Sequence, residues 1–71
     1  MEEIYIRTDY ITLGQLLKLA GLVDTGAMAK LVISEGHVLV NDETETRRGK
    51  KLYEGDRITF EGKTCIVKRD H

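Results

Sequence analysis

The sequence predicts an α+β fold, on three observations. Apolar residues recur at helical spacing twice in close succession, from Leu13 to Ala20 and from Ala27 to Val32. After Gly36 the period drops from about 3.6 to 2, with Val38 and Val40 on one side and His37 and Leu39 on the other. A short alternating segment, Glu3 to Arg7, stands ahead of both helices. Two helices followed by three or four strands, with one leading strand, are therefore expected in a single domain over residues 1–71.

Glu3-Ile4-Tyr5-Ile6-Arg7 carries β-formers in alternation and reads as a strand at a sheet edge. The first helix has an explicit start. Thr12 stands three residues before Gln15, the spacing of a capping box in which hydroxyl and amide each satisfy an orphan backbone group. Leu13, Leu16, Leu17 and Ala20 then share one face, and Gly21 sits where a left-handed cap belongs. Gly14 weakens so short a helix by about 1 kcal/mol relative to alanine, so it must lean on tertiary packing.

Asp24-Thr25 caps a second helix beginning near Gly26 and stopped by Gly36. Its buried side is expected to hold Ala27, Met28, Leu31 and Val32, and its exposed side Lys30 and Ser34. A connection of about four residues makes the pair a compact helix-turn-helix. Asn41-Asp42 turns the chain after the Val38–Val40 strand, and the less regular Glu43 to Leu52 is expected to return beside it. Glu54-Gly55-Asp56 is a further turn. Arg57–Glu61 and Thr64–Lys68 flank Gly62-Lys63 and read as a β-hairpin.

Composition narrows the function. A chain of 71 residues buries only about 60% of the surface its unfolded form exposes, which leaves no room for a deep enclosed cavity. Apolar residues are 41% of the total and charged residues 32%, the balance of a soluble globular domain. No apolar run exceeds four residues, which excludes a transmembrane helix and a signal-peptide core. The cytoplasm is the expected compartment, with no membrane partner. The single cysteine, Cys65, forms no internal disulfide and agrees with reducing surroundings. It lies mid-strand, where burial is expected rather than nucleophilicity.

Catalytic inventory is thin. His37 and His71 are far apart and belong to no ligand-spaced motif, so neither a metal nor another cofactor is expected. His37 follows a helix C-terminus, where a cation has a structural role. Glu61-Gly62-Lys63-Thr64 lacks the upstream glycine of a phosphate loop. The chain is not expected to be an enzyme.

A net charge of −1 argues at first against nucleic acid, yet it conceals a division. Residues 1–46 carry three basic and eight acidic groups, a net of −5; residues 47–71 carry eight basic and four acidic, a net of +4. The densest point is Arg47-Arg48-Gly49-Lys50-Lys51. Such a cluster serves either as a solvated edge that discourages strand aggregation or as an anion-binding surface. Lys18 and Lys30 emerge from the two helices, and the helix starts at Thr12 and Thr25 offer oriented N–H groups to phosphate. Gly26 and Ala27 are small enough to admit a sugar-phosphate backbone. A regular strand would point Arg47 and Lys51 one way and Arg48 and Lys50 the other, so all four converge only if the chain is irregular around Gly49.

These pieces in this order resemble the αL RNA-binding motif, the domain type of ribosomal protein S-four, found also in pseudouridine synthases and tyrosyl-tRNA synthetases. The matching stretches are Leu13 to Leu17, Ala29 to Gly36, Val38 to Asn41 and Tyr53 to Ile58. Thr25-Gly26-Ala27-x-Ala29-Lys30 and Glu45 to Lys51 look like the small stand-alone bacterial members of the YaaA/YbcJ type, across nearly the whole chain. The resemblance implies a two-helix αL motif packed on a small, mostly antiparallel sheet of four to five strands. It implies a monomer that binds structured RNA, ribosomal RNA in ribosome assembly or maturation, with a ribosomal subunit or assembly factor as further partner.

Departures shift the expected contacts. The family's Arg-Leu-Asp helix opening is Thr12-Leu13-Gly14 here, and its Ser-Arg start of the second helix is Thr25-Gly26. Its Asn-Gly turn is Asn41-Asp42, and Asp tolerates positive φ less well than Gly, so a turn longer than two residues is expected. Lys30, Arg47, Arg48, Lys50 and Lys51 are then the phosphate contacts, Thr25 and Gly26 the backbone donors, and Asn41 a polar contact or turn former. Lys18 is the weakest candidate, on an expected orientation towards the sheet. The alternative is a protein-binding adaptor whose basic cluster docks an acidic ribosomal protein or assembly factor.

Overall fold

A computed structural model describes residues 1–70, and the expectation for His71 lies outside them. Along the chain run β1 (Glu2–Ile6), β2 (Ile11–Thr12), α1 (Leu13–Leu19), α2 (Gly26–Ser34), β3 (Val38–Val40), β4 (Glu43–Thr44), β5 (Lys51–Leu52), β6 (Arg57–Phe60) and β7 (Lys63–Arg69). One five-stranded sheet has the order β1-β7-β6-β3-β4, and β2 with β5 forms a separate two-stranded ladder. Every pair is antiparallel except β1 with β7. This is the α+β, mostly antiparallel architecture expected, with the leading strand at a sheet edge.

Alternation decides which side chains point inward. Ile4 and Ile6, Val38 and Val40, Ile58 and Phe60, and Cys65 and Val67 are buried at every second position. They meet Leu13, Leu16 and Leu17 of α1, Ala29 and Ile33 of α2, and Ile11 and Leu52 of the small ladder in one apolar cluster. Burial pushes the Cys65 thiol up from its ordinary pKa, assisted by the Glu2 carboxylate. That is the environment of an inert cysteine.

Both helices end as their glycines dictate. Thr12 and Gln15 form the capping box, and Gly21 takes a φ of 73°. The amides of Gly21 and Leu22 then donate to the carbonyls of Lys18 and Leu17, a Schellman motif. Gly36 and His37 repeat it on Ile33 and Val32.

Four local expectations are corrected. In α2 the buried residues are Ala29 and Ile33, with Val32 half-buried, whereas Ala27 is exposed and Met28 and Leu31 are 47% and 51% exposed. The helix is apolar on nearly all sides, so periodicity could not choose its face; small Ala29 lies where the helices meet. The connection from Ala20 to Thr25 is longer than four residues because Val23 folds back into the core, its amide donating to the Leu17 carbonyl. Asn41-Asp42 is a two-residue turn, with φ of 50° and 70° and Val40 opposite Glu43. Asn and Asp reach the left-handed region more readily than other side-chain-bearing residues, and the right-handed twist of paired strands favours that turn. The last hairpin turns at Glu61-Gly62, one residue earlier than expected, again with positive φ at both positions.

Candidate nucleic-acid interface

The segment after β4 departs most from expectation, and it builds the site. Glu43–Thr44 returns beside β3 for two residues only. The chain then crosses to the start of α1, where Lys51–Leu52 pairs with Ile11–Thr12. Between them Arg47-Arg48-Gly49-Lys50 is a turn, closed by the Lys50 amide donating to the Arg47 carbonyl at 3.2 Å. The irregularity around Gly49 is present, but it divides the four cations instead of gathering them: Arg48 turns to the helices, and Arg47, Lys50 and Lys51 line a hollow of their own.

This turn is fixed to α1 through main-chain atoms. The amides of Leu13 and Gly14 donate to the carbonyls of Lys50 and Arg48 at 2.9 and 3.0 Å. The approach is close enough to need a glycine: a Cβ on residue 14 would lie 2.7 Å from Arg48 Cγ. Gly14, which weakens the helix, thereby admits the turn.

The same bonds change the role expected of the α1 start. Its first amides are committed to the cationic turn, and those of Thr12 and Gln15 to the capping box, so the Thr12 terminus offers no donor to phosphate there. The Thr25 terminus remains open. Thr25 Oγ1 accepts from the Met28 amide and the Thr25 carbonyl from Ala29, which leaves the amides of Gly26 and Ala27 without acceptors among the described residues.

Between the helices and the turn lies a cleft of about 300 Å³ lined by Thr12, Gly14, Gln15, Lys18, Gly26, Ala29, Arg48 and Gly49. Among the described residues its lining holds two cations and no carboxylate. Lys18 therefore faces this cleft and not the sheet. Lys30 lies one helical turn beyond Gly26 on the exposed side of α2. On the other side of Gly49 a shallow hollow is lined by Arg47, Gly49, Lys50, Lys51 and Tyr53, again with no carboxylate among the described residues. Lys50 and Lys51 border a second, mixed hollow shared with Glu43, Glu45 and Asp56.

The cations are unequal. Arg47 is gripped by Glu45, whose carboxylate accepts from Nε at 2.9 Å, from Nη2 at 3.2 Å and from the Arg47 amide at 3.1 Å. The guanidinium holds the Glu45 carboxyl down at about 2. Arg48, Lys18, Lys30 and Lys50 have no carboxylate within salt-bridge distance among the described residues. Lys51 lies over the Tyr10 ring at 4.9 Å. Asn41 is a turn former: its Nδ2 donates to Asp56 and its Oδ1 accepts from the Arg57 amide. His37 lies 3.7 Å from Glu35 at the exposed end of α2, away from the cationic turn's partners.

Sequence reasoning missed Tyr10 and Tyr53. Tyr10-Ile11-Thr12 and Lys51-Leu52-Tyr53 each place one apolar residue between two outward positions, a signal too short to stand out. Pairing Ile11 with Leu52 sets the tyrosines opposite each other, their ring centroids 6.1 Å apart.

Two capped helices joined tightly over one face of a small sheet, with a cationic turn held at the first helix, define the αL-motif class of small α+β domains. The chain belongs to the S4 domain family, which it matches over residues 4–68. It is 58% identical over 59 residues, 83% of each chain, to a probable ribosome maturation protein, RlbA, of Bacillus subtilis strain 168. It is 42% identical over 58 residues to a putative RNA-binding protein, YbcJ, of Escherichia coli K12, covering 82% of this chain and 83% of that one. The solution structure of YbcJ from E. coli, described as revealing an αL motif involved in RNA binding, superposes with a TM-score of 0.74 at 35% identity. That likeness covers 96% of this chain and 87% of the other.

Proposed function

We propose that this protein binds structured RNA, ribosomal RNA in the maturation of the ribosome, and acts in the cytoplasm as a monomeric binding protein without catalysis. The observation that carries the reading is the cleft between α1, α2 and the cationic turn. Lys18 and Arg48 border it, Gly26 presents a free amide at its rim, and among the described residues no acidic one lines it. Duplex RNA hides its bases in a deep, narrow groove, so a small rigid patch reads the backbone and the 2′-hydroxyls rather than sequence. Glycine at residues 26 and 49, where a side chain would stand in open space, keeps the cleft wall low enough for a sugar-phosphate chain to enter. The names of the relatives, one a probable ribosome maturation protein and one a putative RNA-binding protein, support the same setting.

With about four to six phosphates engaged, log K for a structured ribosomal RNA fragment should fall against log salt with a slope of roughly −3 to −5. Arg48→Ala should lower affinity and flatten that slope by about one. Arg47→Ala should do less, because Glu45 already holds that guanidinium. Binding equally tight at low and high salt, or an unchanged slope in Arg48→Ala, would falsify the reading. An adaptor that docks an acidic protein is separated by the state of purified material: nucleic acid bound and removable by nuclease favours RNA, and a polypeptide that co-purifies without nucleic acid favours the adaptor.

A further inference from the structure

The β2–β5 ladder has two sides. Ile11 and Leu52 form the buried one, and the register then puts Tyr10, Thr12, Lys51 and Tyr53 together on the other. On that side Tyr53 is 50% exposed and Tyr10 39%. Their rings are tilted by 51°, and Lys51 Nζ covers a face of Tyr10. Tyr53 is the freer ring, and its main chain is fixed: its amide donates to Asp56 Oδ2 at 2.8 Å and its carbonyl accepts from the Asp56 amide. An exposed aromatic on a rigid turn, beside a hollow lined otherwise by Arg47, Gly49, Lys50 and Lys51, is unexplained by packing. Of the carboxylates that share a hollow with Lys50, Lys51 and Tyr53, Glu45 is engaged by Arg47 and Asp56 by Tyr53 and Asn41, and Glu43 lines the mixed hollow beside them.

We propose that Tyr53, buttressed by Tyr10, stacks an unpaired base of the bound RNA while Lys50 and Lys51 hold the phosphates flanking that nucleotide. The inference rests on the RNA-binding reading and sharpens it: the ligand is a duplex interrupted or flanked by an unpaired nucleotide, not a continuous helix. The chemistry is general. Every base has a π-face, and an aromatic side chain next to backbone-binding cations recognises an unstacked base with little sequence preference. The paired stem meets the helix-side cleft, and the unpaired residue meets the ladder on the other side of Gly49.

The test compares two RNA hairpins, one with a fully paired stem and one with a single bulged adenosine, together with the bulged stem carrying an abasic residue in place of that adenosine. The wild-type protein should bind the adenosine bulge about tenfold more tightly than the other two. Tyr53→Ala should abolish that preference, binding bulged, abasic and paired stems with one affinity, and Tyr53→Phe should retain it. Tyrosine emission gives a second readout, since the chain has three tyrosines and no tryptophan: it should be quenched by the adenosine bulge and not by the abasic one. Paired and bulged stems bound equally by the wild type, or a preference surviving Tyr53→Ala, would overturn the stacking proposal and leave RNA binding standing. Failure to bind any hairpin at low salt would overturn both.

Discussion

At the scale of single residues, Gly14 and Glu45 carry consequences out of proportion to their size. Alanine at residue 14 brings about 1 kcal/mol of helix propensity. It also sets a methyl 2.7 Å from Arg48 Cγ, near the main chain of a turn held by two backbone hydrogen bonds. Overpacking of this kind costs about 1–3 kcal/mol, so Gly14→Ala should lower stability by up to about 2 kcal/mol in denaturant unfolding. A raised midpoint would show that the turn yields freely. Glu45 makes a pH-dependent prediction. Its folded pKa of about 2 lies below the ordinary 4.5, so the stabilisation it gives is complete above 4.5 and disappears as pH falls towards 2. The Glu45 carboxyl carbon should therefore titrate with a midpoint near 2 by NMR, and the Arg47 Nε–H resonance should move with it. A midpoint near 4.5 would mean that the fork does not persist in solution.

At the scale of elements, capping signals were more legible than faces. Thr12, Gln15, Gly21, Thr25 and Gly36 each sit at the helix boundary their chemistry specifies, because those preferences are local. The buried face of α2 was not legible: Ala27 to Ile33 offers apolar groups around most of the helix, and only its contact with α1 selects Ala29 and Ile33. The β2–β5 ladder was illegible for a related reason, since two-residue strands are specified by the partner they meet. Among the site residues, an irregular path around Gly49 could be stated as a condition, but not its outcome, which sends Arg48 to the helices and Arg47, Lys50 and Lys51 to another hollow. The loss of the α1 amides to Lys50 and Arg48 could not be stated either, because it depends on the path of a segment thirty-odd residues away in sequence. The open terminus of α2 then rests on Thr25. Thr25→Ala removes the acceptor of the Met28 amide and should cost about 1 kcal/mol, read as a lower denaturant midpoint at an unchanged slope. No change in midpoint would mean that water replaces the hydroxyl fully.

At the scale of the whole molecule, the net charge of −1 is the sum of two unlike segments and says little about the surface that meets a ligand. The cations of the proposed interface come from α1, α2 and the turn before β5, which tertiary structure alone brings near one another. The parallel pairing of β1 with β7 has another consequence, which concerns time. Residues 2–6 lie in register with residues 65–69, so β1 pairs only with a strand synthesised much later in the same domain. At about 5–20 residues per second, Ile4 and Ile6 wait several seconds without the neighbour that covers them. Until β7 has cleared the exit tunnel β1 has no partner strand, and only β7 joins it to the rest of the sheet.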